Sequence, residues 1–179
     1  MRYIAFLRAI NVGGHTVKME QLRQLFESLG LTNVETVIAS GNVVFESKTK
    51  NTQALEKKIE ATLNQALGYA VATFIRSDSE LATIANYQPF PVSKVAKALA
   101  FNVAFLSTAP DETAIQKLMG LQNAIDDFHV HRREVYWLCR KKQSDSKFSN
   151  AVLEKTLKQP STLRGIDTLK RIAEKYCVS

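Results

Sequence analysis

The chain has 179 residues, 45% of them hydrophobic and 23% charged, with seven Gly, four Pro and two Cys. An apolar share of this size offsets the entropy cost of ordering the chain, which excludes disorder and collagen-like or low-complexity structure. Apolar runs reach only about five residues, against the roughly 20 that cross a bilayer, so no membrane partner is expected.

Charge is unevenly spread. The formal net charge is +7; residues 1–88 carry nine basic and eight acidic side chains, whereas residues 89–179 carry fifteen and nine. The densest stretch holds Arg132, Arg133, Arg140, Lys141, Lys142 and Lys147, opposed by Glu134 and Asp145. Such a surface attracts nucleic acid or another polyanion, or simply keeps a protein soluble. The opening MRYIAFLRAI makes a poor secretory signal, because Arg8 interrupts its apolar run. Cys139 and Cys177 form no disulfide framework, which points to a reducing, cytoplasmic setting.

In chain order, Tyr3–Leu7 reads as a buried strand. Asn11–Gly14 breaks the pattern with two glycines. From Lys18 a helical period places Met19, Leu22, Leu25, Phe26 and Leu29 on one face, and Gly30 ends it. Val34–Ala39 is β-branched and alternating; Ser40-Gly41-Asn42 is a tight turn; Val43–Phe45 returns as the next strand. Leu55, Ile59, Leu63 and Leu67 mark a second helix closed by Gly68, and Val71–Ile75 is a fourth strand. This βαββαβ order is that of a ferredoxin-like plait, with sheet order 4-1-3-2 and both helices on one face. The third strand then lies antiparallel beside the first. The Ser40–Asn42 turn, the Arg8–Val17 loop and the Gly68 connection therefore meet at one sheet edge.

Ser77–Glu80 reads as a capping box opening a short helix to about Ala85. Tyr87–Pro91 is the linker between two domains, 1–88 and 89–179. In the second, Lys97–Leu106 is a strand and Pro110 suits the N1 position of a helix to about Leu121. Ile125–Val130 and Val135–Cys139 form a hairpin around Arg132-Arg133-Glu134, and Phe148–Leu157 is a helix. Asp167–Tyr176 looks helical where a fourth strand is due. The expected fold is thus α+β: two ferredoxin-like (α/β plait) halves, the second incomplete, βαββαβ followed by βαββαα. No residue-level similarity between the halves is visible.

Tyr3-Ile4-Ala5-Phe6-Leu7-Arg8-Ala9-Ile10-Asn11-Val12-Gly13-Gly14, followed by Lys18-Met19, resembles the opening of the domain-of-unknown-function 1697 family. Ser40-Gly41-Asn42-Val43-Val44-Phe45 is similar to that family's second motif, and Thr162-Leu163-Arg164-Gly165 with Thr168 to a looser third. Ala9 stands where the family often has Gly, and Gly165 where it often has Asn. The resemblance implies a pair of ferredoxin-like plaits and no stated activity.

Chemically, the glycine loop follows a strand and precedes a helix, a place where exposed N–H groups bind anions. Asn11, Gly13, Gly14 and Lys18, with Ser40, Gly41 and Asn42 at the same edge, make a phosphate- or carboxylate-sized site; Thr162 and Arg164, just before the last helix, add a hydroxyl and a guanidinium. The bland alternative is that the glycines serve only the turns. Around the basic stretch, Arg132, Arg133, Tyr136, Arg140, Lys141 and Lys142 make the nucleic-acid alternative, with Tyr136 or Trp137 stacking on bases. His129 and His131 share a strand face but lack a third metal ligand, so no metal is expected. Asp126 and Asp127 point to opposite faces, and Cys139 sits in an apolar run. No catalytic constellation is recognisable and no cofactor is implied. The residues favour a binding module for a small anionic ligand; the alternatives are a nucleic-acid-binding protein and an enzyme acting on a small anionic substrate.

Overall fold

The structure, a computed structural model, describes residues 1–11, 14–38 and 41–177. Expectations that fall on Gly13, Ala39 and Ser40 lie outside the described residues. The chain divides into two compact units, Met1–Ala85 with Lys170–Ser179, and Asn86–Leu169.

The first unit carries β1 (Arg2–Leu7), α1 (Met19–Glu27), β2 (Thr32–Thr36), β3 (Asn42–Glu46), α2 (Thr52–Leu67) and β4 (Thr73–Ser77), after which α3 (Asp78–Asn86) leads out. Its antiparallel sheet has the order β2-β3-β1-β4, the plait order read from the other side. The helical period of the sequence explains the core. Leu22 and Phe26 of α1 and Leu55, Ile59 and Leu63 of α2 meet Tyr3, Ala5, Leu7, Val43, Phe45 and Ile75, which lie on one face of the sheet. Each large side chain so buried contributes about 1.5–3 kcal/mol. Asn51 caps α2 by accepting the Ala54 N–H, and Gly68 closes it at φ 83°, a left-handed value that costs glycine little.

The second unit opens with α4 (Val92–Ala96), followed by β5 (Ala100–Leu106), α5 (Glu112–Met119), β6 (Asp126–His131), β7 (Glu134–Cys139), α6 (Asn150–Leu157) and β8 (Ser161–Gly165); α7 (Ile166–Tyr176) begins here. The order β6-β7-β5-β8 makes a complete second plait. The expected incompleteness is therefore corrected: the fourth strand is Ser161–Gly165. It escapes sequence pattern because Ser-Thr-Leu-Arg-Gly has no apolar alternation; pairing with β5 along one edge holds it instead. Behind this sheet Leu118, Leu153 and Leu157 pack on Ala104, Leu106, Phe128, Val135 and Trp137.

Three boundaries also shift. β2 is Thr32–Thr36 rather than Val34–Ala39: Asn33 at φ 49° sits at a register irregularity inside the strand, and Ile38 at φ 48° turns the chain beyond its end. The Lys97–Leu106 strand starts only at Ala100, because α4 and its turn occupy the preceding residues. Helix α5 is capped by Asp111, whose carboxylate accepts the Ala114 N–H at 2.8 Å, which leaves Pro110 one position outside.

The registers of the two sheets coincide. Phe6 stands opposite Asn42 and Ile4 opposite Arg76; in the second unit Phe105 stands opposite Glu134 and Val103 opposite Arg164. The Leu7 N–H donates to the Gly41 carbonyl at 2.8 Å, and the Leu106 N–H to the Arg133 carbonyl at 2.9 Å. Aligned this way, Ala5-Phe6-Leu7 matches Ala104-Phe105-Leu106, and Arg76 matches Arg164. Each of these guanidiniums donates to the carbonyl of the preceding residue, Ile75 at 2.9 Å and Leu163 at 2.8 Å. The halves thus share residues that only strand register makes visible.

Edge strand β4 is sealed by acids. Its outward N–H groups go to glutamates: Ile75 to Glu56 at 2.8 Å, Ser77 to Glu80 at 3.2 Å, and Thr73 to Glu60. In the second unit Glu154 of α6 takes the Ser161 N–H of β8 at 2.8 Å. Glu56 and Glu154 are both the fifth residue of their helices. A carboxylate on an edge N–H blocks strand addition by another chain. Burial holds the Glu60 carboxyl above its usual range, opposed by the Thr73 hydrogen bond. Replacing the buried Glu56 by Ala strands the Ile75 N–H, and is expected to destabilise the protein by about 1–3 kcal/mol. Urea denaturation of Glu56→Ala, with Glu56→Gln expected to lose less, measures it.

Candidate functional site

The rim shared by the two N-terminal motifs is set by β1. As β1 ends, Leu7 bonds the Gly41 carbonyl on one side, and Arg8 bonds the Ala72 carbonyl at 2.9 Å on the other. The hairpin turn and the connection after α2 thus both reach the exit of β1. Tyr69, one residue past the α2 cap, donates its phenol to the Ile10 carbonyl at 2.6 Å. His15 stacks on the Tyr69 ring, with centroids 3.8 Å apart. Nothing in the sequence singles out Tyr69, because its partner is 59 residues away.

At this rim the expected polar side chains divide into two groups. The Asn11 carbonyl oxygen Oδ1 accepts the Val17 N–H at 2.9 Å, closing the loop on itself. Asn42 is buried, and its Nδ2 donates to the carbonyls of Val37 and Ile38 at 3.1 and 2.9 Å. Both asparagines therefore hold backbone. The sequence expectation set both toward a ligand; in the structure these bonds go to backbone, as an Asn beside a left-handed turn readily makes them. Gly14 is exposed at φ 83°, and Lys18 is exposed at the N-cap of α1. Gly41 supplies the carbonyl bonded by Leu7.

Helix α1 begins without a side-chain cap, whereas Asn51, Asp111 and Ser149 cap α2, α5 and α6. The N–H groups of Met19, Glu20 and Gln21 in its first turn are those that an α-helix leaves without intrahelical partners. Glu20, the one acid of that turn, is paired with Arg23. The matching rim of the second unit is closed. There Asp111 places a carboxylate at the helix start, and Gln159 binds the loop through the Thr108 carbonyl at 3.1 Å.

Thr162 and Arg164 lie on β8 of the second unit, which ends at Gly165 immediately before α7. Thr162 is buried, and Arg164 donates to its hydroxyl at 2.7 Å. Loss of water around the Arg164 guanidinium pulls its pKa down to about 10. The basic residues of the nucleic-acid alternative also separate. Arg132 and Arg133 form the β6–β7 turn, while Arg140, Lys141 and Lys142 follow the far end of the six-residue β7, roughly 20 Å away at ~3.4 Å per residue. Tyr136 and Trp137 are fully buried, so neither offers a face to a base. Burial raises the Tyr136 phenol well above its usual range, with Glu134 adding to it.

Asp126 and Asp127 do point apart. Asp126 accepts from the Trp137 indole and the Ser146 hydroxyl, both at 2.8 Å, and Asp127 pairs with Lys94 at 3.2 Å. Cys139 is buried, and burial pushes its thiol up. Among the described residues no group of three or more His, Cys, Asp or Glu side chains could hold a metal, and no helix is long and apolar enough to cross a membrane.

Two four-stranded antiparallel sheets, each backed by helices in the plait order, define an α+β protein of two ferredoxin-like halves. The chain belongs to the family described as "Protein of unknown function (DUF1697)", whose model matches residues 1–136. It is similar to a solved structure, that of conserved bacterial protein SP0830 from Streptococcus pneumoniae, with 26% identity, a TM-score of 0.73 and 97% of each chain covered. No curated protein matches the chain.

One departure from the family motif has a structural consequence. Ala9 holds φ 52°, in the left-handed region where a Cβ costs about 1–2 kcal/mol. Ala9→Gly is expected to raise stability by up to ~1 kcal/mol, the relief of strain exceeding the added freedom of the unfolded chain. A shift in the denaturation midpoint at constant slope measures it.

Proposed function

We propose that the protein is a binding module for a small anionic ligand, bearing phosphate or carboxylate, at the rim where β1 passes into α1. The observation that carries this reading is the uncapped start of α1, with Lys18 exposed beside it and the exposed Gly14 close by in sequence. An anion there would meet the N–H groups of Met19, Glu20 and Gln21, the positive end of the helix and one ammonium. The counterpart at Asp111 supports the reading, since a carboxylate of the chain itself accepts an N–H of the first turn of α5, whereas the N-cap Lys18 makes no such bond in α1. Asn11, Asn42 and the Leu7–Gly41 bond shape this edge without touching the ligand. The free thiols of Cys139 and Cys177 suit a cytoplasmic setting.

Titration with inorganic phosphate, followed by amide chemical shifts, is expected to move the signals of residues 14–21 and leave those of 111–114 in place. An exposed lysine within reach of the anion is worth about 1 kcal/mol, so Lys18→Ala should weaken binding about fivefold. Equal shifts at both helix starts, or an unchanged affinity in Lys18→Ala, would reject the site.

A further inference from the structure

We infer that the segment leaving α3 is fastened to the second sheet by a pH-sensitive clasp made of Tyr87, His129 and His131. Tyr87 lies in the stretch between α3 and α4, and the two histidines are two apart on β6, so they share one face of the strand. The Tyr87 phenol and His129 Nε2 share a hydrogen bond of 2.9 Å. The same phenol ring stacks on His131, with centroids 4.3 Å apart and planes 18° from parallel, and leans on Tyr136 at 5.3 Å. Phe90, from the same segment, meets His129 and Phe101 edge-on. Two imidazoles thus grip one tyrosine in a half-buried, largely aromatic setting.

Such a grip suits neutral imidazoles. A protonated His129 could still donate to the phenol, because both ring nitrogens of an imidazolium are donors. Its charge, however, would stand among aromatic rings and beside His131. Burial first, and His131 second, hold the His129 imidazole below its ordinary pKa. The other charged groups nearby do not cancel that charge. Asp127, on the same face of β6, is paired with Lys94 of α4. Glu134 lies opposite His131 in the β6–β7 register, is buried, and acts on the Tyr136 phenol, as does Arg132 of the turn.

The sign follows from proton linkage. A histidine whose pKa is lowered in the closed form binds fewer protons there than when released. The clasp is therefore fully held above the ordinary histidine value of about 6.5, and is lost as the pH falls below it. Between α3 and α4 this gives the chain a segment, Tyr87–Pro91, that opens in mild acid while the two cores stay folded.

The test is a titration of the ring signals of His129 and Tyr87 by nuclear magnetic resonance from about pH 7.5 to about pH 5. In the natural protein the His129 ring is expected to titrate below a histidine in an unfolded peptide, with the Tyr87 ring signals moving at the same midpoint and the amides of β5 and β7 unchanged. His129→Gln keeps a hydrogen-bonding group that does not titrate, and should flatten the Tyr87 response. Tyr87→Phe keeps the ring and removes the hydroxyl, so the His129 midpoint should rise toward the peptide value. Should His129→Gln fail to fold, the natural protein and Tyr87→Phe decide by themselves. A Tyr87 response in His129→Gln equal to that of the natural protein, a His129 midpoint unchanged in Tyr87→Phe, or a natural His129 midpoint at or above the peptide value would overturn the clasp.

Discussion

The pairing of a central strand along both edges is the constraint from which the rest of each half follows. β1 bonds β3 on one side and β4 on the other, over nearly its whole length. Its apolar residues alternate across the sheet: Tyr3, Ala5 and Leu7 join the helix-backed core, while Ile4 and Phe6 are buried on the other face. A slip of one residue would exchange these two sets and break both ladders at once. Because β1 is held in this way, its exit is a fixed point. The β3 hairpin and the chain after α2 arrive there by hydrogen bond rather than by flexible approach. β5 repeats the arrangement with β7 and β8 in the second unit, in the same register.

A sheet whose centre is so firmly paired still has edges, and the fourth strand of each half is one of them. Helix glutamates meet this by taking outward N–H groups of β4, those of Ile75 and Ser77, and the Ser161 N–H of β8. The arrangement satisfies buried donors and places negative charge where another strand would add. It also ties the second helix to the fourth strand, so helix packing and edge protection rest on the same side chains. The two halves differ most where loops meet helices. The start of α5 is capped by the chain's own carboxylate and that of α1 is not. This difference between a helix start capped by its N-cap side chain and one that is not is what the proposed anion site rests on.

The elements whose signals are local were legible in the sequence. The periodic leucines of α2, the apolar run of β1 and the hairpin of β6 and β7 follow from side-chain spacing and turn residues alone. β8 was not, since a short strand of polar residues is defined by its neighbour and not by its own composition. The candidate site was half legible. Two glycine turns and Lys18 could be placed at one edge from plait topology. The direction of Asn11 and Asn42 could not, because their partners, Val17, Val37 and Ile38, depend on the loop conformation. The aromatic residues of β7 misled for a related reason. A tyrosine and a tryptophan beside arginines look like a nucleic-acid surface until both faces of the strand prove to be buried.

By itself, then, the sequence determined the class of fold, the order of most elements and the family, because hydrophobic period, caps and glycine turns act over a few residues. Only the tertiary structure decided that the second plait is complete, that the halves share a register, and that Tyr87 rests between two histidines. Those facts depend on hydrogen bonds and ring contacts between residues tens of positions apart. No local pattern encodes such distances; the fold alone brings their partners within reach.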